Sequence, residues 1–242
     1  MRSAKLTGLA VVVGLLAIST FGIHSSGAQG SADLSAQEVL ARLATTYAHC
    51  TSYQDAGVVR IVYLESGRSR IEERPFRTAF VRPDSFRFEY TETGLFGAKR
   101  RYIVCRVGTR VQTWWDVKPG VEEKESLGSA LGAATGVSGG SAHAIPALLL
   151  PREVEGRRLT DMTDAKRLAD AKVGSADCFR VEGKYANSPR VVWVDQKTFL
   201  VRRIDFEDTL PTFRTQQTTT YEAVIDEQVA PDLLRFDPPA QR

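Results

Sequence analysis

From residue 57 onward the chain falls into a two-residue rhythm and keeps it for most of its length, and that rhythm leaves few folds open. GVVRIVYLE (57–65), PFRTAFVRP (75–83), SFRFEYTE (85–92), RYIVCRV (101–107) and TRVQTWWDV (109–117) all read as strands, with Gly, Pro, Asp and Ser between them. Side chains alternate faces along a strand, so short alternating runs divided by turn residues predict a meandering antiparallel sheet. The rhythm returns after Gly156 in CFRVEG (178–183), in VVWVDQKTFLVRRIDF (191–206) and in TFRTQQTTTYEAVI (212–225). In the second of these, Asp195-Gln196-Lys197-Thr198 supplies the polar residues that close a hairpin.

Some of these strands are apolar on both sides. Val191 and Trp193 face one way and Val192 and Val194 the other; Val58, Val62 and Leu64 oppose Val59, Ile61 and Tyr63. Others are one-sided, with Phe86, Phe88 and Tyr90 together and Arg87 and Glu89 opposite. An antiparallel sheet with one wet face needs apolar residues on one side only. A sheet this large twists and curls, and its concave side is filled by side chains, covered by helices, or left as an apolar cavity. A lipid-sized pocket and a tightly packed interior both fit the pattern.

Two stretches are available as covers. SAQEVLARLATTYAHC (35–50) is a helix: Ser35 and Glu38 form a capping box, Leu34 can staple onto Val39, and Val39, Leu40, Leu43, Ala44 and Tyr47 mark one buried face. ESLGSALGAATGVSGGSAHAIPALLLP (125–151), rich in Gly, Ala and Ser, has room for two short helices or for one helix and a mobile loop. No linker or repeat divides the remainder, which reads as one domain over 29–242.

The first 28 residues stand apart. Arg2 and Lys5 precede the apolar run LTGLAVVVGLLAISTFGI, and Ser26-Gly27-Ala28 offers a small-x-small cleavage site, the pattern of an export signal cut near Ala28. A retained membrane anchor is the alternative, but the run is short and carries three glycines. Without Arg2 and Lys5 the 32 basic residues fall to 30 against 29 acidic, a formal charge of +1, which gives no ground for nucleic-acid binding. The three cysteines, Cys50, Cys105 and Cys178, allow one disulfide in an oxidising compartment, with Cys105–Cys178 slightly favoured by their strand-like surroundings, or three buried thiols.

Catalytic patterns do not assemble. GVSGG (136–140) matches the nucleophile elbow of serine hydrolases, yet no buried strand precedes it and no histidine follows His143. Two histidines beyond the leader and three scattered cysteines form no metal pattern, and phosphate and dinucleotide loops are missing. The expectation is a non-enzyme without cofactor or metal.

Three stretches in order resemble the LolA/LolB-like lipoprotein-sorting proteins. RLATTYAHCTSYQDAGVVRI has their opening helix and first strand; AFVRPDSFRFEY carries R-P-x-x-F in Arg82, Pro83 and Phe86; LRFDPPAQ carries the closing F-x-P-P in Phe236, Pro238 and Pro239. The resemblance spans roughly 34–240. It implies an α+β fold, an incomplete antiparallel barrel of about ten or eleven strands with helices over the concave face. It also implies a periplasmic, monomeric carrier that holds acyl chains of lipoproteins or lipids and shuttles them toward the outer membrane between membrane-associated donor and acceptor proteins. Arg82 and Phe86 are the residues the resemblance assigns to the cargo site, Arg82 holding the lid closed through backbone carbonyls. Phe80, Phe88, Tyr90, Trp114, Trp115 and Trp193 are the remaining candidates for the ligand-binding surface. Without the resemblance, Arg82 reads as a hydrated strand-end arginine and the aromatics as core or cavity lining. A lipid- or lipoprotein-sensing regulator of envelope stress and a protein-binding module are the alternatives on the same fold.

Overall fold

The computed structural model describes residues 34–65, 67–94, 97–185, 188–209 and 214–239; the export signal expected over 1–28 lies outside them. Helix α1, Ala36–His49, begins where the sequence says it should. The Ser35 hydroxyl accepts from the Glu38 amide at 3.2 Å and the Ser35 amide donates to Glu38 Oε2 at 2.8 Å, which satisfies two of the orphan donors at a helix start.

Six strands follow: β1 (Ser52–Glu65), β2 (Arg68–Val81), β3 (Ser85–Thr93), β4 (Lys99–Val107), β5 (Arg110–Trp115) and β6 (Lys118–Lys124). Helices α2 (Leu127–Thr135), α3 (Ser141–Ala144) and α4 (Pro146–Leu149) come next, then a 3-10 turn at Leu159–Asp161. Strands β7 (Thr163–Val173), β8 (Ala176–Tyr185), β9 (Ser188–Asp195), β10 (Val201–Thr209), β11 (Arg214–Tyr221) and the two-residue β12 (Val224–Ile225) return, and the short helix α5 (Pro231–Leu234) closes the order.

All the strands lie in one antiparallel sheet ordered β6-β5-β4-β3-β2-β1-β11-β10-β9-β8-β7, with β12 beside β1. The first six strands step outward from β1 to one edge, and the last five step inward from the other edge until β11 meets β1. Residues 125–162 therefore run from one edge of the sheet to the other. This is the open, incomplete antiparallel barrel with helical covers that the resemblance implied. The insertion resolves into three short helices, one more than the composition suggested.

The covers divide the inner face between them. Helix α1 packs against β7 and β8, α2 against β4, β5 and β6, and α4 joins them by touching α1. The core between covers and sheet includes Val39, Leu43 and Tyr47 of α1, Leu131 and Ala134 of α2, and Leu148 and Leu149 of α4. Gly57 shows how close the packing is: a Cβ there would lie 2.3 Å from the Phe76 ring and 2.5 Å from the Thr220 carbonyl, so only glycine lets that ring cross β1.

Three strand segments escaped the sequence reading: β6 (KPGVEEK), β7 (TDAKRLADAKV) and the first half of β2 (RSRIEER). β6 and β7 are the sheet edges, and edge strands carry charge on both faces, which blunts pairing with other chains and erases the apolar alternation. The hairpin around Asp195 turns as expected, with Asp195 Oδ1 accepting from the amides of Lys197 and Thr198 at 2.9 and 3.0 Å. Its loop extends to Leu200, and Phe199 takes a left-handed conformation (φ 55°).

Candidate functional site

Arg82 follows the last residue of β2 and reaches back over the sheet end. Its Nε donates to the Cys50 carbonyl at 2.7 Å, and its Nη2 to the carbonyls of Tyr47 (3.2 Å), Ala48 (2.8 Å) and Leu149 (3.0 Å). The first three belong to the end of α1 and the last to the end of α4, where helices leave carbonyls without intrahelical partners. A cation is also favoured at the negative end of a helix. One planar, multi-donor guanidinium thus ties β2, α1 and the insertion together, a task that lysine's compact ammonium cannot perform in the same way.

Two further side chains hold the insertion by its carbonyls from the opposite end of the inner face. Arg74 Nη1 donates to Val137 at 2.9 Å and Gln217 Nε2 to Gly139 at 2.7 Å. Arg74 is itself paired with Glu72 at 2.9 Å. Arg106 adds a fourth tie through its ion pair with Glu153.

Beneath the covers runs a chain of rings. Tyr221 meets Phe76 edge-on at 5.4 Å, Phe76 stacks with Phe88 at 6.3 Å, and Phe88 lies 6.5 Å from Tyr90. Tyr90 stacks with Tyr102 at 5.9 Å and Tyr102 tilts against Trp115 at 5.7 Å. Register explains the row: Phe76 pairs with Tyr90, Tyr90 with Tyr102, and Tyr102 with Trp115 on successive strands. Phe80, Phe86 and Phe88 are fully buried and Tyr90 nearly so. The sequence candidates Arg82, Phe80, Phe86, Phe88, Tyr90 and Trp115 therefore share the inner face with Phe76, Tyr102 and Tyr221, which the sequence reading missed. Phe76 sits at even spacing from Phe80 and could have been read from alternation; Tyr102 and Tyr221 needed the strand register.

Trp114 and Trp193 do not belong to this surface. Trp114 pairs with Ile103 on the outer face, one residue out of phase with Trp115. It is buried there alongside Ile103 and Cys105, whose Sγ lies 3.5 Å from the Leu234 carbonyl as the carboxy-terminal segment crosses the sheet. Trp193 is half-buried on the outer face between the guanidinium groups of Arg180 (4.5 Å) and Arg203 (5.0 Å), and its Nε1 donates to Asp205. The second apolar side of the β9–β10 hairpin is thus covered by arginine stems and cation–π contacts. Trp193, a sequence candidate for the ligand-binding surface, lies on this covered side.

Among the described residues the side chains between covers and sheet are closely packed. Clefts of about 260 to 730 Å³ open on the surface, but those with the largest volumes are lined by Arg70–Arg74 with Arg100, and by Arg106 with 125–129 and 152–155. A cleft of about 110 Å³, bounded by Tyr102, Thr113, Trp115 and Glu122, touches the end of the aromatic row.

A carboxyl group lies inside. Asp55 is buried below the end of α1, with Tyr53 Oη donating to it at 2.6 Å and the Thr78 amide at 2.7 Å. Burial pushes its carboxyl up to about 6, against the opposing pull of those hydrogen bonds. Ser138 of the GVSGG match is buried and structural: its Oγ accepts from the Ala142 amide at 3.1 Å and donates to the Thr135 carbonyl. All three cysteines are unpaired and buried, the second of the two alternatives the sequence left open. Among the described residues no cluster of His, Cys, Asp and Glu has the makings of a metal centre.

No family model and no curated protein sequence matches the chain. Solved structures similar to it include LprF from Mycobacterium bovis, 8% identical with a TM-score of 0.47, covering 81% of this chain and 94% of that one. A DUF1329 family protein from Desulfovibrio piger is 12% identical with a TM-score of 0.35, covering 83% and 95%. A LolA superfamily protein from Nitrosomonas europaea is 10% identical with a TM-score of 0.31, covering 84% and 98%. Likenesses this distant carry no argument about function, which the residues of this chain must supply themselves.

Proposed function

We propose that this chain is an acyl-chain carrier of the cell envelope, closed in the form described, which loads lipoprotein or lipid chains into its apolar interior and conveys them toward the outer membrane. The observation that supports this most is the Arg82 latch: one side chain joins the sheet to both covers through four backbone carbonyls, above an interior of fully buried aromatic rings. Bonds to carbonyls are exchangeable for water at modest net cost, whereas a hydrophobic interior is ready to receive methylenes worth about 0.8 kcal/mol each. A single long chain left in water costs on the order of 10 kcal/mol, so lipidated cargo needs such a shelter to cross an aqueous space. Export by residues 1–28, and membrane-associated donor and acceptor proteins, belong to the same proposal.

The test is mass spectrometry of an organic extract from mature protein isolated without detergent. A stoichiometric acyl species or lipidated peptide is expected, and sequencing the amino terminus of the same sample should find cleavage near Ala28. The closely packed interior favours a second reading, a domain that binds a protein partner while its core stays closed. An empty extract together with no uptake of an acyl probe would move the assignment there.

A further inference from the structure

Arg190 is the exception among the arginines of the inner face. Arg70 and Arg74 pair with Glu72, Arg106 with Glu153, and Arg167 with Asp170, while Arg82 is saturated by carbonyls. Arg190 has none of this. Its Nε is buried without an acceptor, and among the described residues its guanidinium has no hydrogen-bond or ion-pair partner. What it touches is aromatic: the guanidinium carbon lies 4.0 Å from the centre of the Tyr185 ring and 5.1 Å from that of Phe206. Tyr185 is fixed in turn by its hydroxyl, which donates to the Arg157 carbonyl.

A half-buried cation without a counter-charge is costly, and rings offset only part of that cost. Burial accordingly lowers the pKa of Arg190 below the ordinary arginine value, although arginine keeps its charge in proteins. The fork of donors rests against two rings and lacks an oxygen pair.

Its position says what would bring one. Arg190 pairs with Phe206 across β10 and with Gly183 across β8, and alternation along β9 puts Val192 and Val194 on the same face at successive steps deeper. Ile204 and Val181 flank Val192, and Val201 and Phe179 flank Val194; all six are buried. A charged group thus stands at the head of an apolar track that runs under α1. Gln217, which grips the insertion at Gly139, lies across Phe206 from Arg190, so the head of the track lies two strands from a point where the cover is held.

We propose that Arg190 is the head-group anchor of the acyl site, binding the anionic oxygens of a carboxylate or phosphate whose chain runs along Val192, Ile204 and Val194. This deepens the carrier reading and rests on it. The ligand class it selects is an acyl chain with an anionic head, as opposed to a neutral ester or alcohol of the same length.

The experiment compares two fluorescent probes that differ only at the head, cis-parinaric acid and its methyl ester, titrated below their aggregation limit into mature wild-type protein, Arg190→Gln and Arg190→Lys. The acid should bind the wild type about ten- to a hundredfold more tightly than the ester, the range of a charge-assisted hydrogen bond. Arg190→Gln should abolish that preference while leaving ester affinity unchanged, and Arg190→Lys, which keeps the charge, should retain part of it. Unchanged ester affinity also serves as the check that each variant is folded. Equal affinity of the wild type for acid and ester would overturn the anchor and leave the carrier reading standing; failure to bind either probe would overturn both. Displacement by palmitate and by palmitoyl lysophosphatidic acid tells which head is preferred. Either one outcompeting palmityl alcohol supports the anchor, and no advantage for either over the alcohol would overturn it.

Discussion

Two elements cover the same sheet and are built differently. Helix α1 has 14 residues, begins with a capping box and drives Val39, Leu40, Leu43 and Tyr47 into the core over β7 and β8. The insertion, whose first helix lies over β4–β6, is broken into a nine-residue helix and two of four residues, and it buries four alanines, Ala130, Ala134, Ala142 and Ala147, among larger residues such as Leu131, Leu148 and Leu149. Large side chains interlock with a sheet and resist withdrawal, while small ones slide. The insertion makes up the difference with point attachments to its carbonyls from Arg74, Arg82 and Gln217. One cover is a single helix held by volume; the other is a set of short pieces held by volume and latches together.

The contrast predicts a hierarchy of effects. Leu43→Ala should cost about 3–4 kcal/mol of unfolding free energy in urea, mid-range for a buried leucine, whereas Leu131→Ala should cost about 2 kcal/mol because the shorter, segmented cover can settle into the gap. Equal losses would break the distinction.

Next in size is a pH effect confined to the α1 side. Asp55 has a folded pKa near 6 against an ordinary 3.8, so between those values the folded state holds the proton that the unfolded state has released. The stabilisation is full below about pH 4 and lost as pH rises through 6, about 2–3 kcal/mol in all at 1.36 kcal/mol per unit. Asp55→Asn should flatten that part of the stability profile; an unchanged slope in the variant would assign it to other groups.

The smallest effect is local. Arg82→Ala should speed amide exchange in 145–150 by about ten- to a hundredfold while the middle of α1 keeps its protection, as loss of a charge-assisted latch from the insertion would do. If α1 loosened equally, the two covers would be one unit.

Much of this was legible in the chain itself. The capping box located α1, and alternation located β3, β4 and β5 and put Phe86, Phe88 and Tyr90 on one face. Arg82 was picked out only by a motif resemblance, since nothing local tells a latch from a hydrated strand-end arginine until the ends of two helices are brought to it. β6 and β7 stayed hidden because they end the sheet, where TDAKRLADAKV gains from charge and shows a helix-like composition. Trp114 and Trp115 show the limit most clearly: adjacent on β5, they are equally aromatic and lie on opposite faces, and only the pairing of Tyr102 with Trp115 decides which one faces inward. Arg190 could not have been singled out, because its defining property is the lack of a partner.

The three unpaired thiols amount to a built-in set of clocks. Cys50 sits under the Arg82 latch, Cys105 under the carboxy-terminal segment and Cys178 on β8, and burial pushes each thiol up to about 11. A thiol in that state does not react with a labelling reagent until its surroundings part and water restores ordinary acidity. The rate at which each one is modified therefore times a different opening: the latch, the rear strap and the sheet. A single wild-type sample, read cysteine by cysteine in the mass spectrometer, can report which part of the molecule moves first when cargo arrives.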